Sequence, residues 1–168
     1  MAAVAVLVAL PWLNPITLGP SAAMVQWLLS VVAGAGLLCV AAWSGFTGGA
    51  MARSAWGRGL AWGWLLAGLL SGLIALLQYT GHSAAWAPWI NITSTGEAFA
   101  NLRQRNQFAT LTNMALASLC WVVVLARGNR RRMLHVGFAV LLGVGNAASA
   151  SRTGLLQLGL LAGLVVLW

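Results

Sequence analysis

Three arginines stand apart from the other basic residues and have the chemistry to bind phosphate. Arg103 and Arg105 lie in the polar stretch Asn-Leu-Arg-Gln-Arg-Asn-Gln (101–107), and Arg152 lies in Ser-Ala-Ser-Arg-Thr-Gly (149–154). A guanidinium group donates two parallel hydrogen bonds to a phosphate, and a helix predicted to begin just beyond the first pair adds oriented backbone N–H groups. The pattern indicates an anion site that suits a lipid-linked phosphate or pyrophosphate.

A second interpretation is that these arginines contact membrane lipids. Arginines at a membrane interface commonly extend to lipid headgroups. Arg103 and Arg105 would then contact phospholipids while their polar neighbours cap the next helix. Arg152 is harder to explain in this way, because it stands between two apolar runs with only three hydroxyl residues as polar neighbours. An ionisable residue in that position indicates a functional role.

Other catalytic chemistry has little support in the sequence. Glu97 is the one acidic residue, so neither a carboxylate pair nor an oxygen-ligand metal cage can form within this chain. His82 has no evident orienting partner, which a general base needs. Cys39 and Cys120 lie in apolar segments, where thiols behave as small hydrophobes. We predict no metal site, no cofactor and no catalytic residue in this chain.

The elements that must position the arginines are apolar helices. Of the 168 residues, 61% are hydrophobic and 6% are charged, whereas soluble domains contain roughly a quarter charged residues. Several uncharged gaps reach the roughly 20 residues with which a helix crosses a bilayer core of about 30 Å. We predict an all-α, polytopic transmembrane bundle of about five or six spans, with helices at 1–13, 22–43, 60–79, 106–126, 134–150 and 154–168.

The distribution of arginine predicts the orientation of this bundle. Basic residues in short loops are retained on the cytoplasmic side, and they collect at 53–58 and 127–132. Six alternating helices then place these loops and the N-terminus in the cytoplasm. Residues 14–21, 80–105 and the turn at 150–153 lie outside. Because the net charge of +8 comes from such loops and not from one face of a soluble fold, we predict no nucleic acid partner.

Glycine spacing predicts where helices approach closely. Pairs four residues apart occur at 59/63, 68/72 and 159/163, and small residues at this spacing let helix backbones approach one another in membranes. With 20 glycines in the chain, such pairs also arise by chance.

Two motifs resemble a known family. The stretch Phe-Ala-Asn-Leu-Arg-Gln-Arg-Asn-Gln-Phe-Ala-Thr (99–110) and the stretch Ala-Ser-Arg-Thr-Gly (150–154) each open a predicted helix. Together they are similar to the bacterial O-antigen ligase and protein O-oligosaccharyltransferase family. Leu-Pro-Trp-Leu-Asn-Pro (10–15) and Leu-Gln-Tyr-Thr-Gly (77–81) resemble the pilin-type glycosylation ligases of that family.

The resemblance implies a multi-pass enzyme of the bacterial inner membrane. Such an enzyme moves an oligosaccharide from undecaprenyl pyrophosphate to an acceptor on the periplasmic face, either a hydroxyl of a pilin-like protein or a lipid-A core sugar. Membrane lipids surround it. By the same resemblance, Arg103, Arg105 and Arg152 bind the donor pyrophosphate. Four polar residues shape the pocket: Gln104, Asn106, Gln107 and Ser151.

Members of the family are longer than this chain and carry a large periplasmic loop with the histidine that activates the acceptor. The sequence contains no such loop, so we expect residues 1–168 to be a single transmembrane domain forming the N-terminal part of a longer ligase. Two alternatives remain. One is an O-antigen polymerase, which uses the same carrier with a different acceptor, and the other is a non-catalytic membrane protein that binds polyprenyl lipid.

Overall fold

The computed structural model describes residues 1–14, 22–47, 50–102, 104–125 and 132–167, and the regular elements in these ranges are all helical. A short 3-10 helix, Ser83–Trp86, lies between the third and fourth α-helices. The all-α prediction is confirmed over the described residues. In chain order the α-helices are α1 (Ala2–Leu13), α2 (Ala22–Thr47), α3 (Ala50–Tyr79), α4 (Arg105–Leu125), α5 (Arg132–Ala148) and α6 (Arg152–Leu167).

Three stretches are long and apolar enough to cross a membrane, namely Met24–Ser44, Ser54–Tyr79 and Arg105–Val124. The other three helices are apolar but shorter. At 1.5 Å per residue, the 17 residues of α5 extend about 26 Å, slightly less than a bilayer core of about 30 Å. The chain is therefore a helical membrane protein with three candidate spans. The total of five or six spans and the cytoplasmic N-terminus stay predictions.

The centre of the bundle is formed by α3 and α4. Helix α3 packs against α1, α4 and α5, and helix α4 also packs against α5 and α6. The apolar core around them contains Phe108 and Leu111 of α4 in one cluster, and Leu65 of α3 with Leu142 of α5 in a second. Helix α2 packs mainly against α1, and many of its side chains are exposed, including Trp27.

Glycine sets the helix spacing at two of the three predicted pairs. A Cβ atom at Gly63 would lie 2.9 Å from the carbonyl oxygen of Ala5 in α1, and one at Gly68 would clash with Ala115 in α4. Only residues without a Cβ allow these approaches. The prediction fails for the third pair, 159/163, where an added Cβ would have nothing within 4 Å among the described residues.

The boundary between α2 and α3 differs from the prediction. The sequence predicts Arg53 and Arg58 in a loop, but α3 begins at Ala50, so both lie in its first turns. Alanine, methionine and arginine are good helix formers, so the helix extends beyond its apolar part. The Nε1 group of Trp56 also donates a hydrogen bond to the Ser44 hydroxyl of α2 at 2.8 Å. Of the basic loop predicted at 127–132, residues 127–131 lie outside the described residues, and Arg132 is the first residue of α5 and not part of a loop.

Candidate anion-binding site

The start of α6 is fixed by a capping serine and a glycine. The Ser151 hydroxyl accepts a hydrogen bond from the backbone N–H of Gly154 at 3.0 Å, as the serine at a helix N-cap does. A Cβ atom at Gly154 would lie 2.5 Å from the Ala109 Cβ of α4, so this close contact requires glycine. Helix α6 therefore begins at Arg152, two residues earlier than predicted, with its first turn against α4.

One hydrogen bond joins the starts of α4 and α6. The Ser151 hydroxyl donates to Asn106 Oδ1 at 2.8 Å. Arg105 directly precedes Asn106 and Arg152 directly follows Ser151, so two of the three predicted phosphate-binding arginines flank this bond. The first N–H groups of each helix have no partner within the helix, and the helix dipole is positive there. Such an arrangement can bind an anion.

The two arginines differ in their partners. The Arg105 guanidinium donates to Glu97 Oε1 at 2.6 Å, with the two side chains 50% and 40% exposed. Within the described part of the chain, Arg152 forms no ion pair. An exposed ion pair of this kind contributes about 0–1 kcal/mol, so a phosphate can compete with Glu97 for Arg105. Arg103 lies outside the described residues, and its role stays a prediction.

The two predicted glutamines lie in different surroundings. Gln104 is exposed and precedes α4, and its carbonyl accepts from the Phe108 N–H at 3.1 Å. Gln107 lines a cavity with residues of α1 and α2. Of the four pocket residues implied by the resemblance, the structure thus joins Asn106 and Ser151 directly, while Gln107 faces a separate cavity.

A buried polar network next to this site holds α4, α5 and α6 together. Asn146 of α5 is 1% exposed, and its Nδ2 group donates to Thr112 Oγ1 at 2.8 Å and to Asn113 Oδ1 at 3.1 Å. Asn113 Nδ2 in turn donates to the Gly154 carbonyl of α6 at 3.0 Å. Sequence reasoning missed this network. Its signal was the presence of amide side chains within apolar helices, since such groups bond to neighbouring helices in lipid.

Two buried amides fix the loop that leads into α4. Gln78 pairs with Ala100 in both directions, donating to its carbonyl at 2.8 Å and accepting from its N–H at 2.7 Å. Asn101 Nδ2 donates to the carbonyl of Leu13 at 3.1 Å and to that of Trp89 at 2.9 Å. The ends of α1 and α3 therefore position the residues just before α4.

The remaining candidates for chemistry are not assembled into a site. His82 is exposed, and its Nδ1 lies 3.0 Å from the Thr80 hydroxyl, which cannot supply the carboxylate partner of a general base. Among the described residues, no group of three or more histidines, cysteines and acids is placed to hold a metal ion.

Comparison with known proteins points to the start of α4. Residues 98–122 match the model of a family described as protein glycosylation ligase. The matched stretch runs from the loop before α4 through most of that helix and includes Arg105 and Asn106. No curated protein and no solved structure matches the chain. The match suggests a protein glycosylation ligase and names no substrate.

Proposed function

We propose that this protein binds an oligosaccharide linked to undecaprenyl pyrophosphate and acts in its transfer to a protein hydroxyl. Two observations at the start of α4 support the proposal together. The family match at 98–122 covers the start of α4, and the hydrogen bond from Ser151 to Asn106 holds the start of α6 beside it. Arg105 and Arg152 therefore extend from two neighbouring helix ends that both favour an anion.

Pyrophosphate is the leaving group in this transfer. The acceptor hydroxyl oxygen bonds to the anomeric carbon of the sugar, the bond from that carbon to the pyrophosphate oxygen breaks, and a base takes the hydroxyl proton. We assign no residue of this chain as that base. Negative charge grows on the pyrophosphate as the bond breaks, and fixed donors aimed at developing charge lower the barrier. Arg103, Arg105 and Arg152 have this role in the proposal.

The proposal locates the protein in the bacterial inner membrane, with the start of α4 on the periplasmic face. Three candidate spans and the collection of arginine at 53–58 and 127–132, at the ends of apolar runs predicted to face the cytoplasm, support this placement. A lipid-A core sugar is the alternative acceptor. The description of the matching family names protein glycosylation, which favours a protein hydroxyl.

The test is substitution of Arg152 in the intact protein. We expect Arg152→Ala to reduce glycan transfer by roughly 10²-fold, the usual cost of removing one donor to a developing charge, and Arg152→Lys to restore part of it. Arg58→Ala is the matched control, because Arg58 is an exposed arginine near the other end of the bundle. Equal transfer by Arg152→Ala and Arg58→Ala would contradict the site assignment.

An acceptor assay separates the protein ligase from an O-antigen polymerase. Purified protein and one lipid-linked glycan are incubated with a pilin-like protein, with lipid-A core, or with a second molecule of the lipid-linked glycan. Labelled protein supports the proposal, and elongated lipid-linked glycan would identify the polymerase.

A further inference from the structure

The loop between α3 and α4 carries a run of exposed apolar residues. Residues 84–89 are Ala-Ala-Trp-Ala-Pro-Trp, and each of them is exposed. The largest side chains of the run, Trp86 and Trp89, are 55% and 63% exposed. No lysine, arginine, aspartate or glutamate occurs from Gly59 to Gly96, so this loop and most of α3 lack the charges that a water-facing surface carries. An exposed apolar patch of this kind marks a contact surface.

The backbone of this run is largely paired within the protein. The N–H groups of Trp89 and Ile90 both donate to the Trp86 carbonyl, at 2.9 and 3.2 Å. Asn101 donates to the Trp89 carbonyl at 2.9 Å and accepts from the Asn91 N–H at 3.1 Å. Unpaired N–H and C=O groups are what normally keeps a loop out of lipid. The loop therefore meets a main requirement for contact with a membrane.

An apolar groove of about 400 Å³ lies between this run and α3. Its α3 wall extends from Leu70 to Leu77, which is about 10 Å along a helix that rises 1.5 Å per residue. Apart from the two indoles, Asn101 is the only polar side chain among the described residues that line the groove. Both ends of the Asn101 amide are already hydrogen-bonded. The groove therefore suits a hydrocarbon chain and not a polar ligand.

The groove is continuous with an exposed apolar face of α3. Leu66, Leu70 and Leu73 are exposed, and their spacing places them on one face of the helix. They lie within the candidate span Ser54–Tyr79, and the exposed face of a spanning helix contacts lipid. Leu70 and Leu73 also line the groove. A lipid chain that lies along this face therefore reaches the groove without leaving an apolar surface.

We propose that residues 83–90 lie in the headgroup layer of the membrane and that the groove behind them holds an acyl chain of a bilayer phospholipid. Tryptophan favours this layer because its ring is apolar and its N–H can bond to headgroups. The proposal goes beyond glycan transfer, because the phospholipid is a structural contact of the loop and not a donor. Through the hydrogen bond from Asn101 to the Trp89 carbonyl, the lipid-contacting run supports the residues that lead into α4.

The depth of the loop in the membrane tests the proposal. In a background with Cys39→Ala and Cys120→Ala, a nitroxide label is attached at Ala87→Cys, between the two tryptophans. The matched control is Ser94→Cys, an exposed position in the polar part of the same loop. The intact protein is placed in phosphatidylglycerol and phosphatidylethanolamine vesicles, and relaxation of the label by oxygen and by a water-soluble nickel chelate is compared. We expect oxygen, which concentrates in lipid, to act more strongly at position 87 and the nickel chelate to act more strongly at position 94.

Two results of this measurement would overturn the proposal. Strong relaxation by the nickel chelate at both positions would place the run in water. Weak relaxation by both reagents at position 87 would mean that protein covers the run, either a second copy of the chain or a protein partner. Neither result depends on pyrophosphate binding or glycan transfer, so failure here is distinct from failure of the proposed function.

Filling the groove tests its occupant. Leu73→Trp places an indole in the groove, and Leu66→Trp is the matched control, because Leu66 lies on the same exposed face of α3 but does not line the groove. Each variant in vesicles is cross-linked to a phosphatidylglycerol that carries a photoreactive group on one acyl chain, and the labelled residues are identified by mass spectrometry. Ile90 is buried but lines the groove, so a label there reports a chain inside it. We expect this label in the unsubstituted protein and in Leu66→Trp, and its loss in Leu73→Trp. Equal labelling of Ile90 in the two variants would overturn the assignment of the groove to an acyl chain.

Discussion

The contact of α1 with α3 and the contact of α4 with α5 and α6 are made in different ways. The first depends on the absence of side chains, with Gly63 bringing the backbone of α1 close to α3. The second also contains a close glycine contact, at Gly154, but it adds buried amides, with Asn146 and Asn113 linking three helices through hydrogen bonds. Both solutions suit lipid, where apolar burial does not drive helices together and close packing or interhelical hydrogen bonds must do so.

The difference shows what each contact can specify. A glycine contact sets how near two helices lie, but many side-chain arrangements satisfy it. A hydrogen bond also sets rotation and register, because donor and acceptor must meet at about 2.9 Å and near linear geometry. The arginine-bearing starts of α4 and α6 lie on the side with directional contacts. We infer that the polar network holds the relative position of Arg105 and Arg152.

The largest effect is expected from filling the glycine contact. Gly63→Leu forces a side chain against Val8 and the carbonyl oxygen of Ala5, which would lie 2.7 and 2.9 Å from the new Cβ. Overpacking of this kind destabilises by about 3 kcal/mol, measured as a lower midpoint of unfolding in mixed detergent micelles. Gly159→Leu is the control and should change stability by less than about 0.5 kcal/mol. If Gly63→Leu lowered the unfolding stability as little as Gly159→Leu does, α1 and α3 would not be in close contact.

Disrupting the polar network should lower the free energy of unfolding by less than filling the glycine contact does, but it should also change the affinity for pyrophosphate. Asn146→Leu removes the donors to Thr112 and Asn113 and should cost about 1–2 kcal/mol, since interhelical hydrogen bonds in membranes average about 0.6 kcal/mol each. It should also weaken pyrophosphate binding, because Asn113, which donates to the Gly154 carbonyl at the start of α6, loses the hydrogen bond from Asn146 that orients it. Thr112→Val removes one interhelical bond, from Asn146, and the bond that the Thr112 hydroxyl donates to the Ala109 carbonyl within α4, and it should cost less than Asn146→Leu. Unchanged pyrophosphate affinity in Asn146→Leu would separate the network from the anion site.

A small increase in the free energy of unfolding is expected from a substitution at the turn into α6. Ala150 is exposed and has a left-handed backbone with φ 49°, which costs a residue with a Cβ about 1–2 kcal/mol. Ala150→Gly removes this strain and increases the entropy of the unfolded chain, so it should stabilise by about 0.5 kcal/mol. Ala100 has φ 53° but is fully buried, and Ala100→Gly should not stabilise because a packed methyl is lost. Thermal melting of both variants checks the contrast, and equal effects would contradict it.

The smallest effect is expected at the ion pair. Glu97→Gln removes the charge that faces Arg105 but should change unfolding stability by less than about 1 kcal/mol, because the pair is half exposed. Pyrophosphate affinity should rise, since Arg105 no longer has a competing anion. Titration calorimetry with pyrophosphate measures this. A fall in affinity would show that Glu97 orients Arg105 rather than competing for it.

The uncharged stretches of the sequence predicted the positions of the helices well. In lipid, unpaired backbone N–H and C=O groups are energetically unfavourable, so apolar stretches of spanning length form helices. Their ends were less predictable. Helix α3 begins ten residues before the predicted position, since helix propensity and interface contacts continue beyond the apolar run. The motifs around Arg105 and Arg152 located two neighbouring helix starts. The sequence could not reveal the partners of Asn146, or that Gln107 faces α2, because both depend on how the helices are rotated against one another.

The side chain of Gln78 pairs with the backbone of the loop before α4. Its side-chain amide bonds both the N–H and the carbonyl of Ala100, as a neighbouring peptide unit does across a β-ladder. A loop without regular structure thereby gains the protection of a paired backbone. The Ala100 amide should therefore exchange its hydrogen with solvent as slowly as amides within the helices. Slow exchange there would mean that the loop before α4 is as rigid as the helices it connects.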